Sequence, residues 1–113
     1  MIDSPGRPVW SYLTGLAEPN TEETGDRPKV KVIHRGETET VIRLAFRAGQ
    51  EMPDHQAAHP IVVLGQQGDV DFTVEGVTNP LSPGTAIRVD ARVKHHLRAQ
   101  TDGTLTLIVV HGR

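Results

Sequence analysis

From Lys29 onward the apolar residues of this chain fall into short alternating runs of roughly four to eight residues, each ended by glycine, proline, asparagine or aspartate. Val30 and Val32 share a face with His34. Ile42, Leu44 and Phe46 share another, with Val41, Arg43, Ala45 and Arg47 opposite them. Ile61 to Leu64 is continuously apolar, and Val70, Phe72 and Val74 alternate again. Further strands are expected at Ala86–Val89, His95–Ala99 and Leu105–His111. Gly76 to Pro80 reads as a hairpin connection, Leu81 to Gly84 as a turn, and Thr101-Asp102-Gly103 as a second hairpin connection. The count is eight or nine short strands with no amphipathic helix, which implies an all-β fold built as a closed or double-sheet antiparallel barrel.

A chain of 113 residues is one domain, able to bury about two thirds of its unfolded surface. With one Trp, one Tyr and two Phe, its core rests on Val, Ile, Leu and Ala, whose β-branched members favour strands. A net charge of −2 supplies no basic face for nucleic acid or anionic membrane. No cysteine is present, so a disulfide, a thiolate nucleophile and a thiolate ligand are all excluded. No signal-like segment or spanning apolar run is seen, and a cytoplasmic location is the expectation.

Residues 1–28 read as a partly irregular N-terminal arm, and 29–113 as the barrel domain. The arm carries one apolar island of Val9, Trp10, Tyr12, Leu13 and Leu16. Leaving Trp10 in water forfeits a large apolar burial, so the island is expected to dock on the barrel or on a second subunit. Small barrels protect their edge strands by pairing or covering them, and a homodimer with the island at its interface is expected.

Five residues stand at intervals that carry a resemblance. Gly49, His55 and Gly68 match the glycine, first histidine and last glycine of one motif. Gly84 and His95 match the glycine and histidine of a second. The pattern resembles the two motifs of the cupin family. The chain departs from them at Ala57, where a second histidine would stand, and at Ile61, where a glutamate would. It departs again at Asp90 and Arg92, in place of proline and glycine, and at Ala99, in place of asparagine. The resemblance covers roughly Val41 to Val110. It implies a small single-domain cupin, a jelly-roll or double-stranded β-helix barrel, commonly a homodimer, and commonly holding Fe, Mn, Ni or Zn.

By that resemblance His55 and His95 are carried over as metal ligands. A catalytic metal needs about three protein ligands, and His59 is the candidate for the third. Four residues of straight strand span about 13 Å, so His59 reaches the ion only if the chain turns at Gln56-Ala57-Ala58. Three neutral imidazoles would leave a divalent ion its full charge, which favours an anionic or oxygen-rich substrate. The competing interpretation has His55 and His95 as hydrogen-bonding groups of a metal-free pocket, with His59 on a loop. Gln50, Met52 and Gln56 are candidates for the pocket mouth. His34 and His111 are expected at the interior or rim, and His96 on the face opposite His95. Two functions follow: a cupin binding a divalent metal and a small polar molecule, with dioxygenase, isomerase or decarboxylase chemistry if it is an enzyme; or a metal-free cupin binding a small molecule or a partner protein without turnover.

Overall fold

The computed structural model describes residues 2–4 and 7–112; of the expected arm, Met1, Pro5 and Gly6 lie outside the described residues, as does Arg113 of the barrel. In chain order the strands are β1 (Ile2–Ser4), β2 (Arg7–Pro8), β3 (Lys29–Arg35), β4 (Glu39–Phe46), β5 (Glu51–His55), β6 (Ile61–Gln67), β7 (Val70–Val74), β8 (Val77–Leu81), β9 (Ala86–Val89), β10 (His95–Ala99) and β11 (Gly103–Val110). No helix is found among the described residues. The fold is the expected all-β jelly roll.

Two sheets make the barrel. One has five strands in the order β3-β4-β11-β6-β9, and the other four in the order β5-β10-β7-β8, every pair antiparallel. Between them lies one apolar core containing Leu44, Phe46, Val63 and Leu105 from the larger sheet and Val70, Phe72, Leu97 and Ala99 from the smaller. The period-2 alternation explains this division: Leu44 pairs with Leu105 and Phe72 with Leu97, so each inward residue meets an inward residue across the ladder.

The arm explains a departure from expectation on β4. The sequence reads this strand as half-buried with Arg43 and Arg47 facing out, but its second face is buried as well, because residues 13–20 run over the outside of β4 and β11. Ala45, Thr104 and Thr106 are covered there, and Arg43 is buried at 6% exposure. Arg43 Nη1 donates to the Gly15 carbonyl (2.7 Å) and to Glu18 Oε1 (3.0 Å), while Thr104 Oγ1 donates to the Glu18 carbonyl (3.0 Å). A guanidinium left in mid-face therefore acts as a latch for the arm, its one Nη1 group serving a carbonyl and a carboxylate together. The apolar island divides: Leu13 and Leu16 are half-buried, but Val9, Trp10 and Tyr12 stay exposed, the two aromatics at 66% and 86%.

The hairpin between β7 and β8 turns at Glu75-Gly76, earlier than the Gly76–Pro80 connection expected from the sequence. Both turn residues have positive φ, 50° and 77°, as a two-residue type I′ turn needs. Asn79 and Pro80 belong to β8, which is an edge strand and so tolerates a residue without an N–H.

Candidate functional site

β5 and β10 bring His55 and His95 directly opposite one another at the end of the smaller sheet. Their rings lie 4.3 Å apart, centroid to centroid, in an edge-to-face arrangement at 68°. Phe72, fully buried on β7, stacks on the other side of His95 at 4.9 Å and 17°. Each histidine is oriented by a backbone carbonyl two residues before it. His55 Nδ1 donates to Pro53 at 2.8 Å, and His95 Nδ1 to Val93 at 2.9 Å. A carbonyl only accepts, so both Nδ1 atoms carry hydrogen, and in the neutral ring Nε2 is left as an acceptor. His95 is almost wholly buried, at 4% exposure. Burial holds its pKa below the ordinary 6.5; the Val93 carbonyl works against this, and the charges of His55 and His96 add to the lowering.

That depression has a sign. Because folded His95 takes up its proton at lower pH than unfolded His95, its contribution to stability is intact above about pH 6.5 and is lost as pH falls through the folded value. Denaturant titrations between pH 7.5 and pH 5 are expected to lose less stability in a His95→Gln variant than in the parent. An equal loss in both proteins would disprove the assignment.

The other expected site residues separate. Met52 joins the pair's neighbourhood: it packs against the core and lies opposite Leu97, and a register shift in β5 between Met52 and His55 puts two residues three apart on the same side of the ladder. His59 does not join. It is exposed, with its ring 6.1 Å from that of His111, whose Nε2 lies 2.9 Å from Thr40 Oγ1. Among the described residues no group of three His, Cys, Asp or Glu side chains could hold a metal ion. Gln50 also departs from its expected role. It is buried, and its amide is used in the fold, accepting from Arg47 N (2.7 Å) and donating to Thr24 Oγ1 (3.1 Å) and the Gly25 carbonyl (2.8 Å). Gln56 is exposed on the loop after β5.

A cleft of about 560 Å³ opens beside His95, bordered by Asp54, Thr73, Glu75, Arg92, Lys94 and His96. The Asp54 carboxylate is engaged with His96 Nδ1 at 3.0 Å. Arg92 stands in the left-handed region at φ 65°, and its amide donates to the Ala57 carbonyl at 2.7 Å, tying the loop before β10 to the loop that follows His55. The cleft was not expected from the sequence. Its one signal is an arginine at a motif position where a glycine would adopt that φ freely.

A jelly-roll barrel with a histidine pair at one end of its smaller sheet defines the class, and the comparisons with known proteins agree. The cupin domain family matches residues 42–111. The chain belongs to the cupin family. Solved structures similar to it include KdgF from a Halomonas species (TM-score 0.77, 20% identity, covering 93% of this chain and 96% of that one). An RmlC-like cupin from Shewanella frigidimarina is also similar (TM-score 0.72, 24% identity, 81% and 83% covered), as is a cupin superfamily protein from Desulfitobacterium hafniense (TM-score 0.71, 15% identity, 88% and 98% covered). At these identities the likeness is one of fold. No curated protein matches the chain. No helix among the described residues is long and apolar enough to cross a membrane.

Proposed function

We propose that this protein is a cupin that binds a small polar molecule at the His55–His95 end of the barrel without a resident metal. The observation that carries this is the donor set. The family's metals ask for about three protein ligands, and the chain brings two neutral imidazoles together with no carboxylate and no third histidine among the described residues. A divalent ion there would be weakly held, its charge uncompensated beside the buried ring of Phe72. Two acceptor nitrogens instead suit the hydroxyl or amino hydrogens of a ligand, with Met52 as apolar surface nearby.

One observation favours the second reading, a divalent ion completed by water or substrate. Nδ1 hydrogen bonds to backbone carbonyls are how metal-bound histidines are oriented. Plasma mass spectrometry of untagged protein, beside a His55→Ala, His95→Ala variant, separates the two. Less than about a tenth of an equivalent of metal in both, even after incubation with Fe, Mn, Ni or Zn, is expected. Near-stoichiometric metal in the parent that disappears in the variant would establish the second reading and with it a search for oxygenase, isomerase or decarboxylase turnover.

The protein as we propose it is a cytoplasmic homodimer joined through the arm. Val9, Trp10 and Tyr12 offer exposed apolar surface, the first two beside His34 and Arg35 at the end of the edge strand β3, whose Val30 and Val32 are also exposed. Light scattering on a chain lacking residues 1–18 is expected to give the mass of one shortened chain instead of two. An unchanged, equally stable dimer would rule out the arm as its interface.

A further inference from the structure

Between the two sheets, burial falls off along the strands. On the larger sheet Leu44 and Leu105 are buried, whereas the next inward residues of β4 and β11, namely Ile42, Leu107 and Val109, are only half-buried although they pack against the same core. On β7 of the smaller sheet Val70 and Phe72 are fully buried and Val74 is half-buried. Inward side chains that stay half-covered mark the end at which water enters between the sheets. That end is the histidine end. Val74 pairs with His95. The chain crosses between the sheets from His55, the last residue of β5, to Ile61, the first of β6, and Ile61 pairs with Val109.

The two sheets bring different chemistry to this mouth. The larger one offers the aliphatic side chains of Ile42, Leu107 and Val109. Its Thr40 and His111, at the same end, are engaged with each other, Oγ1 to Nε2 at 2.9 Å. The smaller sheet offers Met52, Val74 and the two imidazoles. With each Nδ1 turned to a backbone carbonyl, Nε2 is the atom left to meet a ligand. Among the described residues the one buried side-chain nitrogen or oxygen without a hydrogen-bond partner is Arg43 Nε. Nε2 of His95, which no described residue bonds, therefore reaches solvent although most of its ring is buried.

We propose that the His55–His95 end takes a small molecule with a hydroxyl on an apolar body, of which phenol is the simplest, the hydroxyl donating to an imidazole Nε2 and the body covering Ile42, Leu107 and Val109. This rests on the reading of that end as the ligand-binding end and names the ligand class. An aliphatic wall gains only from apolar surface laid on it, and a polyol would leave hydroxyls facing that wall without partners. The thioether of Met52 suits an aromatic body.

The test uses three probes: phenol, with a hydroxyl on a ring; benzene, with the ring alone; and glycerol, with hydroxyls alone. Binding to the full chain is followed by NMR, reading the methyl signals of Ile42, Leu107, Val109 and Met52 and the imidazole signals of His55 and His95. Phenol is expected to bind about ten- to a hundredfold more tightly than glycerol, the difference made by burying one apolar body of side-chain size, with benzene between them. Val109→Thr, nearly isosteric and at a half-buried position where its hydroxyl can be solvated, should weaken phenol and benzene alike by about fourfold, the equivalent of one buried methyl group. A His55→Leu, His95→Leu variant should bind phenol no more tightly than benzene, as read from the methyl signals. No response of the mouth methyls to phenol at millimolar concentration, or phenol binding unchanged in Val109→Thr, would overturn the proposal. Glycerol moving both imidazoles as strongly as phenol would also overturn it, while leaving the ligand-binding reading of the histidine pair in force. Benzene binding as tightly as phenol to the parent would instead remove the histidines from recognition, and that reading with them.

Discussion

A Gly68→Ala variant is expected to lose about 2–5 kcal/mol of stability, which for a domain of this size lowers the melting temperature by roughly 10–30 °C. Two effects add at this position. Gly68 has φ 66°, which an L-residue adopts at a cost of about 1–2 kcal/mol. A Cβ built there would also stand 2.0 Å from the Asp102 carbonyl oxygen and 2.8 Å from Gly103 Cα, backbone atoms of the β10–β11 connection and of the first residue of β11. Backbone cannot rotate aside as a side-chain tip can, so the turn before β7 would have to separate from the Thr101–Gly103 turn, where Asp69 N now donates to Thr101 Oγ1 at 3.0 Å. Gly84→Ala is the control: φ is 91° but nothing lies within 4 Å of its Cβ, so only the conformational part should be lost. Denaturant unfolding of both variants checks the difference, and equal losses would mean that the close approach at Gly68 carries no energy.

Phe72→Ala is expected to cost about 3–5 kcal/mol, and Phe72→Leu less than about 1.5 kcal/mol. Phe72 is fully buried in the core between the sheets, and its ring also backs that of His95 at 4.9 Å. The two substitutions separate these roles. Alanine leaves a cavity beside the imidazole; leucine fills the core but removes the stacked face. Since burial is the main cause of the low pKa of His95, the alanine variant should bring that pKa back towards 6.5, as measured by NMR titration of the ring. A His95 titration unchanged in Phe72→Ala, in protein that remains folded, would show that Phe72 does not provide the burial.

The barrel was legible in the sequence to the extent that local pattern decides it. The strands Ala86–Val89 and His95–Ala99 appear at their expected residues because alternation and flanking turn residues are properties of neighbouring positions. The motif glycines Gly49, Gly68 and Gly84 all have positive φ, the backbone reason why these positions carry glycine and hence why the family spacing survives in this chain. His55 and His95 were likewise identifiable, and they meet across a strand pair.

What lay beyond local pattern was decided by contacts between distant segments. Arg43 reads as an outward, solvated residue until residues 13–18 are laid across it. Gln50 reads as a polar group at a pocket mouth, but its amide ties the start of β5 to Thr24 and Gly25 of the arm. Met52 and His55, three apart, should face opposite sides of a strand, and a register shift brings them together. His59 pairs with His111 because the chain after β5 leads away from His55 towards the end of β11. Most strands follow from residue type at short range, where side-chain period and backbone sterics act; the β7–β8 turn did not, and the histidine pair was found through its spacing in the family's motifs. Which faces are covered and which polar groups are already satisfied depend on segments tens of residues apart, and only the folded barrel brings those together.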